Sequence, residues 1–291
     1  MLTPIGHSTK TAPTTRRIMT LAWTLTALLL ATYAVLDMAS YEYIEALLPL
    51  SQPWTNPVVY TMILAASLFA AGASLLLTKQ FEPEEPPRRI WLFFSLGWCC
   101  WVLGEMGGFV YRAIFEQKPQ LTFMDLCWTI GYTFFAIAFF LQFRLIYGRG
   151  RNLGRYHFAA IFAGILALAA VIAVLARLAG FGEDKIWLNL YLLVLYPICD
   201  LVIGAAAVWL SLLFARGLWS RPWWGLIAFF FADGIYTWYG LGGYQFLTPA
   251  ADAWLSLVTD LFYIGGYIIV GLACLSLFLA QQSHFAQENK P

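Results

Sequence analysis

The chain has 291 residues, of which 61% are hydrophobic and 11% charged, with a formal net charge of +1. Soluble globular domains carry about 25% charged residues, so this is not a soluble composition, and the near-even charge gives no basic excess that would point to nucleic acid. Apolar runs of about twenty residues recur from end to end, each long enough to cross a bilayer.

Eight such runs are expected, near 17–37, 57–78, 90–115, 124–147, 157–179, 186–215, 222–245 and 253–281. The reading is an all-α integral membrane protein with eight transmembrane helices. Residues 1–16 form a polar tail, 17–147 a first four-helix half, 157–281 a second, and 282–291 a closing tail. The first run is too long for a removed signal peptide and lacks a small-residue cleavage site. With the N-terminus in the cytoplasm, all of the 17 basic residues except Arg112, Lys118, Arg177 and Lys185 fall inside, a split of 13 to 4. Both termini are therefore expected in the cytoplasm.

In chain order, the first helix is uniformly apolar and offers no chemical group of interest. Pro57 is expected to open the second helix, and Pro86-Pro87-Arg88-Arg89 to lie in a cytoplasmic turn before the third. Glu105 lies about 22 Å along the third helix at 1.5 Å per residue, in its outer half. Tyr111 and Arg112 share or border its face, so Glu105 is either paired with Arg112 or part of a site. The fourth helix opens with Asp125-Leu-Cys-Trp-Thr-Ile-Gly-Tyr132, and its basic end, Arg144 to Arg155, reads as a topology anchor. Thr122 and Asp125 have capping-box spacing, so Asp125 reads either as a helix cap or as a site acid. The sixth run contains Tyr196-Pro-Ile-Cys-Asp200, where Pro197 frees a backbone carbonyl beside an acid near mid-membrane. The seventh contains Asp233, Tyr236 and Tyr239.

The eighth run carries Asp260-Leu-Phe-Tyr-Ile-Gly-Gly-Tyr267, a second copy of the 125–132 pattern. Positions i, i+3 and i+7 of a helix share a face, so Asp125, Trp128 and Tyr132 point one way, as do Asp260, Tyr263 and Tyr267. Leu257 occupies the cap position of the second copy, which favours the site reading over the cap. Glu105 and Asp233 are each followed by a tyrosine six residues later. The two tandem halves are thus expected to form a parallel repeat, because an even number of helices per half gives both the same orientation.

Acids inside apolar segments face a bundle interior or a wet cavity and mark functional sites by default. Glu105, Asp125, Asp200, Asp233 and Asp260, with Tyr111, Arg112, Trp128, Tyr132, Tyr196, Tyr239, Tyr263 and Tyr267, form the candidate ligand-binding or proton site, and Tyr236 is a further tyrosine able to bond an acid. Such a pocket suits a small apolar or cationic ligand, or a proton path. Every histidine (His7, His157, His284) lies at or beyond a helix end, which argues against bis-histidine haem. Every lysine is terminal or in a loop, which argues against a retinal Schiff base. The five cysteines lie within apolar runs and read as packing residues.

The segment from Glu105 through Tyr132, with Tyr196-Pro-x-x-Asp200 and Asp260 to Tyr267, resembles the multi-helix membrane sensor region N-terminal to the output domain of some bacterial diguanylate cyclase (GGDEF) receptors. Pro119, Thr122 and Asp125 match that region's loop, while Leu121 and Met124 depart from it. The resemblance implies a sensory role. With no output domain after residue 281, it also implies a separate protein partner or a subunit role. The favoured function is a non-enzymatic ligand-sensing or accessory subunit in the lipid bilayer. The alternatives are a transporter or proton-coupled carrier, and an intramembrane lipid hydrolase using two of the acids. The orientation is testable: a C-terminal fluorescent-protein fusion is expected to fluoresce and a C-terminal alkaline phosphatase fusion to be inactive. The reverse pattern would overturn the cytoplasmic assignment.

Overall fold

The computed structural model describes residues 13–39, 52–111, 123–148, 186–214, 217–240 and 247–288. Among them there are seven α-helices and no strand. They are α1 (Pro13–Ala39), α2 (Gln52–Thr78), α3 (Pro86–Phe109), α4 (Phe123–Tyr147), α5 (Ile186–Leu213), α6 (Arg221–Gly240) and α7 (Pro249–Glu288). A short 3₁₀ turn, Leu218–Ser220, leads into α6. Six of the helices are long and apolar enough to cross a membrane, α6 being the exception. An all-helical, multi-pass membrane architecture follows, because only internally bonded helices or closed barrels satisfy the backbone in lipid. The helix expected at 157–179 lies outside the described residues.

Several expected boundaries shift. Pro86 and Pro87 occupy the first helical positions of α3 instead of a turn, behind an extended N-cap at Glu85. Proline suits those positions because its missing N–H would have no intrahelical partner there in any case. Pro57 does not open α2, which begins at Gln52. Pro197 sits inside α5 without ending it. The first helix is not chemically silent either: its Tyr33 is buried and neighbours Tyr236.

The helices close into a ring. Following packed neighbours, the order is α4, α3, α2, α7, α6, α5 and back to α4, with α1 resting outside on α7 and α2. Among the described residues five seams of this ring are extensively packed, whereas α4 and α5 touch sparingly. The outer surface is apolar, with Leu21, Leu25 and Leu28 of α1, Leu68 of α2 and Leu212 of α5 all exposed. That surface is suited to lipid.

The two most extensive seams, α3–α4 and α6–α7, cross in the same way. A Cβ on Gly131 would stand 3.1 Å from the Gly97 carbonyl oxygen, and one on Gly266 would stand 3.0 Å from that of Gly225. Trp101, four residues after Gly97, covers Gly131, and Phe229, four after Gly225, covers Gly266. Phe135, four after Gly131, covers Gly97, while Val270, four after Gly266, covers Gly225. Small residues permit this close backbone approach. Gly265 has nothing within 4 Å of an added Cβ, in contrast to its neighbour Gly266. Gly266→Ala is therefore expected to destabilise the protein by about 1–3 kcal/mol through overpacking. Gly265→Ala should be neutral, or stabilising by up to about 1 kcal/mol. Unfolding midpoints in detergent check this, and equal losses at the two positions would refute the crossing.

Candidate functional site

The five membrane acids lie one each on α3, α4, α5, α6 and α7, and four of them accept hydrogen bonds from tyrosine hydroxyls. Tyr263 and Tyr267, on α7, both donate to Oε1 of Glu105 on α3, at 2.5 and 2.9 Å. Tyr196 on α5 donates to Oδ1 of Asp125 on α4 at 2.8 Å. In return Tyr132 on α4 donates to Oδ1 of Asp200 on α5. Tyr236 on α6 donates to Oδ1 of Asp260 on α7. Each bond joins two helices, and together they tie α3 and α6 to α7 in one set and α4 to α5 in another.

The local sequence places these groups. Asp125 and Tyr132 are seven residues apart on α4, while Tyr196 and Asp200 are four apart on α5, so each pair lies along one helix face. Two faces of that kind, set against each other, pair acid with tyrosine twice over. Tyr263 and Tyr267 are likewise four apart and reach one carboxylate together. Trp128, on the same face of α4, lies against Gly104 and meets Tyr196 edge-on at 6.5 Å.

Beside the acids stands an aromatic core. Trp98, Trp101, Phe135, Phe229 and Tyr267 are all buried. Trp101 meets Phe229 edge-to-face at 4.9 Å, Tyr132 at 5.3 Å and Tyr267 at 6.3 Å. Edge-to-face pairs are favoured by the ring quadrupole, and here they hold both tyrosine rings from one indole. The hydroxyls are thereby aimed at their acids by packing on the far side of each ring.

Asp233 differs from the other four. Among the described residues no tyrosine hydroxyl donates to it. Its carboxyl instead neighbours Asp200, which is buried and whose Oδ2 has no hydrogen-bond partner. Two carboxyl groups therefore meet at the α5–α6 seam, one of them with a bare oxygen.

Of the residues expected at the site, Glu105, Asp125, Trp128, Tyr132, Tyr196, Asp200, Asp233, Asp260, Tyr263 and Tyr267 are brought into this connected set. Tyr111 lies in the π turn that ends α3, at the edge of the described residues. Arg112, and with it the expected Glu105–Arg112 pair, lies outside them, as do Thr122 of the capping pattern and the side chain of Tyr239. Tyr236 belongs at the site on the strength of its bond to Asp260. The supporting glycines carry a sequence signal of their own. Gly97 precedes Glu105 by eight residues just as Gly225 precedes Asp233, and Gly131 and Gly266 each follow their acid by six.

Chemically, the cluster is a set of acceptors served by neutral donors. Thr129 and Thr259 donate their hydroxyls to carbonyls of their own helices at 2.7 and 2.6 Å. Among the described residues no group of three or more His, Cys, Asp or Glu is arranged to hold a metal ion. Compared with protein-family models, with curated proteins and with solved structures, the chain matches none.

The shared acceptor at Glu105 makes a thermodynamic prediction. Interhelical hydrogen bonds in membranes average about 0.6 kcal/mol, with a maximum near 1.7. Tyr263→Phe and Tyr267→Phe should each cost little, because one hydroxyl still serves the carboxylate. The double variant should cost about 1 kcal/mol more than their sum, because it removes both tyrosine donors from one carboxylate. An additive double-mutant cycle would count against a shared acceptor.

Proposed function

We propose that the carboxylate/tyrosine cluster is the binding site of a ligand-sensing or accessory subunit of the bacterial inner membrane. The observation that carries this reading is the unequal helix ring. Among the described residues five seams are joined by extensive packing, while α4 and α5 are joined chiefly by the reciprocal bonds of Tyr196 to Asp125 and Tyr132 to Asp200. A hydrogen-bond donor that takes either aspartate competes directly with a bond that closes the ring. Binding is then converted into a relative movement of α4 and α5, which is what a sensor or partner-controlled subunit requires.

A cationic or hydroxyl-bearing ligand fits the acceptors, and a partner helix carrying donors fits them equally well. The matched glycine crossings of α3–α4 and α6–α7 support the parallel repeat, in which α4 and α5 meet at the boundary between halves. The distribution of basic residues supports cytoplasmic termini. The resemblance to membrane sensor regions of diguanylate cyclase receptors agrees with the same role. A proton-coupled carrier is the second reading, favoured by the unbonded Oδ2 of Asp200.

Native mass spectrometry on protein released gently from its own membranes tests the proposal. The expected result is a stoichiometric protein partner or a retained small molecule, with occupancy falling at least severalfold in Asp125→Asn. A bare chain in wild type and variant alike would overturn it. Substrate-dependent flux in reconstituted vesicles, abolished by Asp200→Asn, would establish the carrier in its place.

A further inference from the structure

The two glycine crossings set up a residue-by-residue correspondence: Gly97 with Gly225, Trp101 with Phe229, Gly131 with Gly266. Carried along the helices, it matches Glu105 with Asp233, Trp128 with Tyr263 and Tyr132 with Tyr267. Glu105 receives the hydroxyls of both Tyr263 and Tyr267. The matching donors for Asp233 would be Trp128 and Tyr132, and neither serves it. Trp128 brings an indole whose buried Nε1 has no hydrogen-bond partner. Tyr132 gives its hydroxyl to Asp200.

Asp200 is the residue that breaks the correspondence, since the matching helix, α2, contains no acid. It is 5% exposed, its Oδ1 holds Tyr132, and its Oδ2 is bare and beside Asp233. Among the described residues, the groups near this pair on the surrounding helices are Glu105 on α3, Tyr132 on α4, Cys199 on α5, Tyr236 on α6, and Tyr263 and Tyr267 on α7. None of these side chains carries a positive charge. Two carboxylates cannot bond to each other, since both only accept, and like charges side by side repel. One proton resolves both problems, and it requires no cavity.

We propose that Asp200 and Asp233 hold a single exchangeable proton between them, so that the α5–α6 seam is a proton-binding site. Uptake adds a proton to one carboxylate and makes the O–H···O⁻ bond that joins α5 to α6. Release returns two carboxylates and sets like charges against each other across that seam. The Tyr132 bond couples this event to α4, because Oδ1 and Oδ2 belong to one carboxyl group.

The proposal rests on the binding-site reading above and names the ligand of its innermost acids. Infrared spectroscopy of the whole protein in lipid nanodiscs tests it without any partner. The expected result is a protonated-carboxyl C=O band at neutral pH that shifts in D₂O and shifts when aspartate is ¹³C-labelled at its side-chain carboxyl. The band should vanish in Asp200→Asn and equally in Asp233→Asn, and persist in Asp260→Asn. Absence of the band in wild type, or its failure to move on aspartate labelling, overturns the proposal with no substitution needed. Survival of the band in either Asn variant overturns the sharing. A positive infrared result with a bare chain in native mass spectrometry would retain the proton site and refute the sensor reading; the converse would do the opposite.

Discussion

A carboxylate in a membrane interior requires hydrogen-bond donors, and in this protein the donors are phenols. Tyrosine suits the task because most of its side chain is an apolar ring and only the tip is polar. It brings a donor to a buried acid without adding a second charge to be desolvated. Four of the five acids are served in this way, each from a different helix than its own. These bonds tie α3 and α6 to α7, and α4 to α5.

The bonds depend in turn on two kinds of packing. Backbones at the glycine crossings come close enough that residues one or two turns away can reach across to a neighbouring helix. Aromatic edge-to-face contacts then hold the rings, as when Trp101 packs on both Tyr132 and Tyr267. Removing either support would displace a hydroxyl from its acid. Glu105, with two donors, is the more robust position. Asp200, with one donor and one bare oxygen, is the position where binding has the most to change.

The ring is unequal in how its seams are made. The seam of α2 with α7 is packed side chain into backbone, with Phe69 filling the space over Gly271. Among the described residues the α4–α5 seam is bridged by paired tyrosine–aspartate bonds. Apolar packing has no stronger alternative in lipid, whereas a hydrogen bond can be exchanged for another donor. The α4–α5 bonds are of that exchangeable kind, and they engage Asp125 and Asp200.

The membrane class and six of the eight expected helical spans were legible in the sequence, because length and hydropathy are local properties. The paired motif at 125–132 and 260–267 contains Tyr132, Tyr263 and Tyr267, each of which donates to an acid, but not Tyr196 or Tyr236. Which tyrosine meets which acid was not legible. The bonded partners are 68 to 162 residues apart across the α4–α5 and α3–α7 contacts, and nothing local distinguishes Tyr132 bonding Asp200 from Tyr132 bonding Asp233. Nor did the sequence show that α3 would begin on its own prolines or that Tyr33 of α1 would be buried beside Tyr236. The physical reason is the solvent. In water an amphipathic stripe tells a helix which side faces in, but in lipid the inner and outer faces are both apolar. Composition and spacing therefore determined what the helices are and where their polar groups stand. The order of the ring, and with it the pairing of the acids, was decided only by tertiary packing.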